Sequence, residues 1–149
     1  MRIKDVMSRK VFTVDLHEPL ERARSKMTLR RVHHLVVVDG RNVVGLVSAE
    51  LLAWGEAAGI ARVEDVMFRH VVSGTPDLTI REAANLLRGR TVGALPIFEG
   101  ERLVGIVTIS DLLDLLGRGA ERPVPSSRRW TLRDRGKKPR GAVVGTRAR

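Results

Sequence analysis

Apolar and polar positions along this chain fall into blocks, and the blocks come twice. "KVFTV" (Lys10–Val14) and "HVVSG" (His70–Gly74) are short β-prone runs, which predicts strands. Each leads into a segment of helical period: Leu20, Ala23 and Met27 share one face, and Ile80, Ala83, Ala84 and Leu87 share another. Thr79 with Glu82 three residues later is a capping-box start, and Pro19 suits the first turn of the other helix. Two apolar runs around a tight polar turn follow, "LVVVDGRNVVGLVS" and "LPIFEGERLVGIVT", each the mark of a β-hairpin. A short helix closes each half, over about residues 50–54 and 111–116. The predicted order is β-α-β-β-α, twice, an α+β architecture. The hairpin strands are nearly continuous in Val, Ile and Leu, which implies cover on both faces. Val36, Val37, Val44, Leu46, Ile97, Val104 and Ile106 are therefore expected in the core.

A displacement of 60 residues superposes the halves without a gap over 3–50 and 63–110, with identities at Asp5/Asp65, Met7/Met67, Ala23/Ala83, Leu35/Leu95, Gly40/Gly100, Gly45/Gly105 and Val47/Val107, among others. The closing phrases then differ in length. In "GLVSAELL" Ser48 and Glu50 stand two apart, whereas in "GIVTISDLL" Thr108 and Asp111 stand three apart. Matching acid to acid implies a one-residue deletion in the first copy, which would rotate Glu50 by about 100° about its helix. Units of about 50 residues are marginal alone, so the two are expected to pack as one globule, with repeats at 1–58 and 59–116.

Charge modifies this picture at one end only. The net charge of the 149-residue chain is +10, but residues 1–116 hold 16 Lys and Arg against 15 Asp and Glu, a net of +1. Residues 117–149 hold 11 basic residues against Glu121 and Asp134, a net of +9. That basic tail has Gly and Pro of linker composition, and is expected to be flexible. Its Trp130, between arginines, either meets a partner or docks back on the body. The chain has no cysteine, which excludes a disulfide framework and a thiolate metal site. No apolar run approaches the roughly 20 residues of a membrane span, and "MRIKDVMSRK" lacks a signal-peptide core. A soluble, cytoplasmic protein without membrane contact is expected.

Catalytic and metal chemistry find little footing. The sequence has no phosphate loop ending in Lys-Ser/Thr, no Gly-x-Ser-x-Gly elbow and no His-Glu-x-x-His. His33 and His34 are adjacent on a predicted strand, so their side chains point to opposite faces and do not suit one ion. No enzyme activity, cofactor or metal is expected.

The "DVM" openings, the "VHHLVVVDG" and "VGALPIFEG" hairpins and the "GLVSAELL" and "GIVTISDLL" closers, recurring in order over about residues 1–116, make the chain resemble a tandem CBS-domain pair, or Bateman module. The resemblance implies two β-α-β-β-α repeats packed sheet to sheet about a pseudo-two-fold axis, two clefts that often take adenosine ligands, and frequent dimerisation. It also implies a regulatory rather than a catalytic role.

A nucleotide site needs an acceptor for ribose hydroxyls, donors for phosphate and a slot for the base. The second copy offers all three. By the resemblance Asp111 would accept from the ribose, with Thr108 and Ser110 as hydroxyl donors beside a helix N-terminus. Gly93, Ala94, Leu95 and Pro96 match the strand edge against the base, and Ser73, Gly74 and Thr75 match the segment bordering the same cleft. Ser110 or Asp111 also makes a good helix cap with no other role. The first copy departs from the pattern at Glu50, at Val36 in place of the proline, and at Arg31 and His34, which crowd its cleft. A first-copy cleft built from Thr13, Val14, Arg31, His34, Ser48 and Glu50 is expected to be empty or to favour an anion through Arg30, Arg31, His33 and His34. The expectation is a homodimeric adenine-nucleotide sensor (AMP, ADP, ATP or a related ligand) acting on a separate protein. The alternative is a dimeric scaffold whose basic tail binds nucleic acid or an acidic partner.

Overall fold

Strand β1 (Thr13–Asp15), helix α1 (Leu20–Arg30), the hairpin β2 (His34–Asp39) and β3 (Asn42–Ser48), and helix α2 (Ala49–Ala57) make up the first repeat in a computed structural model that describes residues 1–89 and 92–118. Helix α3 (Ile80–Leu87), the hairpin β4 (Ala94–Glu99) and β5 (Arg102–Thr108), and helix α4 (Ile109–Arg118) make up the second. Apart from Gly117 and Arg118 at the end of α4, the expected basic tail with Trp130 lies outside the described residues.

Each hairpin turns on two residues, Gly40-Arg41 or Gly100-Glu101, with Asp39 opposite Asn42 and Glu99 opposite Arg102. Gly40 (φ 60°) and Gly100 (φ 63°) supply the positive φ that so short a turn requires. The antiparallel registers are the same sixty residues apart, down to a bulge between Val37 and Val38 and its counterpart between Ile97 and Phe98. In the first repeat β1 runs parallel to β2. In the second, the matching run pairs with β4 only through the Gly74–Ile97 bridge.

Helix α1 buries Leu20, Ala23 and Met27 as its periodicity predicts. Helix α3 buries Ala83 and Leu87, and Ile80 is partly buried, but Ala84 is exposed. Leu86 packs on that core in its place. Thr79 and Glu82 form the predicted capping box, the Thr79 hydroxyl accepting from the Glu82 N–H at 3.1 Å and the Glu82 carboxylate accepting from the Thr79 N–H at 2.8 Å. Pro19 occupies the cap position of α1, one residue before the helix. Val36, Val37, Leu46 and Ile97 are fully buried, while Val44, Val104 and Ile106 are partly so.

The repeats are joined by exchange. The apolar residues of the opening "IKDVM" do not enter the core of their own repeat: Ile3 and Met7 pack with Ala83, Leu87, Leu95, Ile97 and Val107 of the second. Reciprocally, Val63, Val66 and Met67 pack with Leu20, Met27, Leu35 and Val47 of the first. Backbone bridges Ser8–Ile106 and Leu46–Phe68 form one symmetry-related pair, and Arg2–Thr79 and Pro19–Arg62 another. Glycine is needed where the crossing segments land. A Cβ on Gly45 would come within 2.8 Å of Met67 Sδ and 2.9 Å of the Phe68 carbonyl, and one on Gly105 within 2.5 Å of Met7 Sδ and 3.0 Å of the Ser8 carbonyl. The recurrence of "DVM" and of "VG" thus has one cause, a methionine of one repeat seated on a strand glycine of the other. Residues Met1–Leu115 accordingly form one compact unit.

Candidate functional site

The start of α4 is held from within. Thr108 caps the helix, its hydroxyl accepting from the Asp111 N–H at 3.2 Å, while Asp111 Oδ2 accepts from the Thr108 N–H at 2.7 Å and from the Thr108 hydroxyl at 3.0 Å. The Gly93 carbonyl accepts from the Ile109 N–H at 3.0 Å. Two groups are left toward solvent: Asp111 Oδ1 and the Ser110 N–H have no hydrogen-bond partner among the described residues. A carboxylate oxygen beside free helix-start donors can accept from hydroxyls while its neighbours donate to an anion.

These groups open onto a cleft of about 290 Å³ that both repeats line. The second repeat contributes Ile106, Thr108, Ser110 and Asp111. The first contributes Ser8, Lys10, Arg31, Val32, His33 and His34. His34 is fixed across the boundary, its Nε2–H donating to the Val92 carbonyl at 2.8 Å. Gly93 stands beside it with φ +87°, and a Cβ there would lie 3.6 Å from His34 Nε2 and from Ile109 Cδ1. Arg31 is the one non-glycine residue of positive φ among the described residues (φ 56°) and ends α1, its N–H capping the Met27 and Thr28 carbonyls.

The residues of the expected first-copy cleft are not all gathered together: His34 and Ser48 are partners in the β2–β3 ladder, but Ser48 is buried, accepting from the Leu51 N–H at 3.2 Å to cap α2, Arg31 and His34 line the Asp111 cleft, and Thr13 and Val14 line a separate depression with Lys26 and Arg30. The deletion is also absent. Ser48 and Thr108 cap helices that begin sixty residues apart, and Leu52 and Leu112 are both buried, so the displacement runs unbroken into the helices. The counterpart of Asp111 is Leu51, and Glu50 corresponds to Ser110. Glu50 is exposed, and its carboxyl is held below the usual glutamate range by its own backbone N–H, then by the Ser48 hydroxyl, with smaller contributions from His34 and His33. A cavity of about 360 Å³ between α1 and the start of α2, lined by Arg24, Arg31, His33 and Leu52 among others, has no acid in its wall.

Of the residues matched to the base slot, Ala94, Leu95 and Pro96 are fully buried, backbone included, and do not line the Asp111 cleft. Gly74 pairs with β4 on the edge away from β5, donating to the Pro96 carbonyl at 2.9 Å, and exposed Ser73 and Thr75 flank it. None of these three lines the Asp111 cleft. Ser8, Lys10 and Val32 are lining residues that sequence reading missed, and no local pattern pointed to Ser8 and Lys10, because the "DVM" segment before them crosses to the other repeat.

A model of the CBS domain matches residues 3–52 and 63–118. The chain belongs to the CBS-domain family. A CBS domain-containing protein of Dictyostelium discoideum is 32% identical over 139 residues, covering 83% of this chain and 95% of its own length. The A-adding tRNA nucleotidyltransferase of Geobacter sulfurreducens is 31% identical over 120 residues, but this CBS pair spans only 14% of that enzyme. Among solved structures, the CBS domain pair of protein MJ0100, in complex with 5'-methylthioadenosine and S-adenosyl-L-methionine, superposes with a TM-score of 0.75 at 24% identity, covering 80% of this chain and 98% of that one. That likeness gives the CBS pair its fold. Among the described residues no helix is long and apolar enough to cross a membrane.

Proposed function

We propose that this CBS pair is a regulatory module, acting on a separate protein as a homodimer, whose Asp111 cleft binds an adenine nucleotide or related adenosine ligand. The observation that carries the reading is the division of labour within the Asp111 carboxylate. Oδ2 is spent on the cap of α4, while Oδ1 is left for ribose hydroxyls beside the Ser110 N–H and the Thr108 side chain. The adenosine ligands of MJ0100 belong to that protein, and they support the reading by showing that the shared fold accommodates such molecules.

Calorimetric titration of the full chain with AMP, ADP, ATP and S-adenosylmethionine tests it. At least one should bind and raise the melting temperature, through its preference for the folded state. Asp111→Ala should abolish that rise. Because this substitution also removes half of a helix cap, Glu82→Ala is the control: it opens the equivalent box on α3 and should leave binding unchanged. Silence from all four ligands would sink the reading.

A further inference from the structure

The Asp111 cleft is a composite whose two walls differ in charge. Its second-repeat wall carries Asp111, and its first-repeat wall carries Lys10, Arg31, His33 and His34. Lys10 and Arg31 are the lysine and arginine of that wall. His34 commits its Nε2–H to Val92, so in its neutral form it offers a ligand only an acceptor and does not hold an anion. Asp111 spends one carboxylate oxygen internally. The balance in the cleft is positive, and the Ser110 N–H at the start of α4 adds a donor on the opposite wall. The sixty-residue displacement shows how asymmetric this is. It carries Lys10 to His70, Ser110 to Glu50 and Asp111 to Leu51, replacing a lysine by a histidine and moving the acid to a different helical position.

We propose that the first repeat, which lacks an acid of its own at the Leu51 position, serves the second repeat's site as its phosphate wall, with Lys10 and Arg31 selecting ligands that carry a di- or triphosphate over those that are uncharged or cationic at the same end. The proposal rests on the adenosine reading for the identity of the ligand, and on the cleft's charge alone for its selectivity. Arg31 carries the sharper test. Its left-handed backbone suits glycine, so Arg31→Gly removes the charge at a position where the fold accepts the replacement.

Full chain is titrated with ATP, AMP, adenosine, S-adenosylmethionine and inorganic tripolyphosphate, as wild type, Arg31→Gly, Arg31→Lys and Lys10→Ala. The expected order of affinity is ATP above AMP, and AMP above adenosine and S-adenosylmethionine. Arg31→Gly should weaken ATP by roughly tenfold, the loss of one charge-assisted hydrogen bond, and leave adenosine unchanged. Lys10→Ala should act likewise, and Arg31→Lys should restore much of the affinity. Adenosine or S-adenosylmethionine binding as tightly as ATP, with Arg31→Gly silent, would overturn the selectivity and leave the adenosine reading standing. Tripolyphosphate binding that depends on Arg31 and is matched but not exceeded by ATP would uphold the phosphate wall and overturn the adenosine reading. No binding by any of the five would overturn both.

Discussion

Arg31 ends α1 in the left-handed region, where the Cβ of an L-residue costs about 1–2 kcal/mol. The same residue faces the cleft that Asp111 opens onto. Arg31→Gly should therefore raise the unfolding free energy by about 1 kcal/mol in urea titration, since part of the relief is offset by the entropy of glycine in the unfolded chain. A loss of stability would mean that the Arg31 side chain is a structural strut. The crowded glycines predict the opposite sign. Gly105→Ala would press a methyl against Met7 Sδ and the Ser8 carbonyl, and because a backbone carbonyl cannot yield as a side chain does, the cost should be about 1–3 kcal/mol by the same measurement. At this scale the sequence was read well for chemistry and poorly for place. Asp111 and Thr108 are partners because their spacing is local to one helix turn. Arg31 and His34, expected in a first-copy cleft, line the cleft of Asp111, because the direction in which the end of α1 and the start of β2 face is settled by the packing of the other repeat.

The helices show the same local logic and one failure of it. Glu82 and Asp111 are both third residues of helices capped by threonine, so one motif serves as cap in α3 and as cap plus proposed ligand acceptor in α4. Acid pH separates cap from site. The Glu82 carboxyl is held below its usual range by the Thr79 backbone N–H and then by the Thr79 hydroxyl, so its contribution is present above the unfolded-state value and is lost as pH falls through the lowered folded one. Glu82→Gln should be less stable than wild type at neutral pH. The gap between their melting temperatures should close as the pH drops below the ordinary glutamate range. A gap independent of pH would place the effect in packing instead. The failure came from aligning acid with acid. Following the buried leucines, Leu52 and Leu112, keeps the sixty-residue register, because burial fixes a helix's phase whereas an exposed acid is free to appear one position away.

For the whole molecule, the order of elements and the two-fold repetition were legible, since both are patterns within a repeat. The exchange between repeats was not. Identities such as Met7/Met67 and Gly45/Gly105 show that the halves are alike, and are silent on which core each methionine enters. Ile3 is fully buried in the second-repeat core, so Ile3→Ala should cost about 2–5 kcal/mol. Hydrogen exchange should show where the damage falls. The exchange topology predicts faster amide exchange first in β4 and β5, although the substitution lies in the first repeat. Protection lost first from β2 and β3 would contradict the crossing.

That crossing bears on how the protein is made. On the ribosome Ile3 and Met7 emerge before any of the residues that will bury them, and the first repeat is complete through α2 while its core still lacks Val63, Val66 and Met67. Neither half can finish folding as it leaves the exit tunnel. The first core closes once Val63, Val66 and Met67 have followed, but the nascent chain must hold Ile3 and Met7 open until β5 has been synthesised, an interval in which a chaperone, or a neighbouring copy on the same message, competes for them.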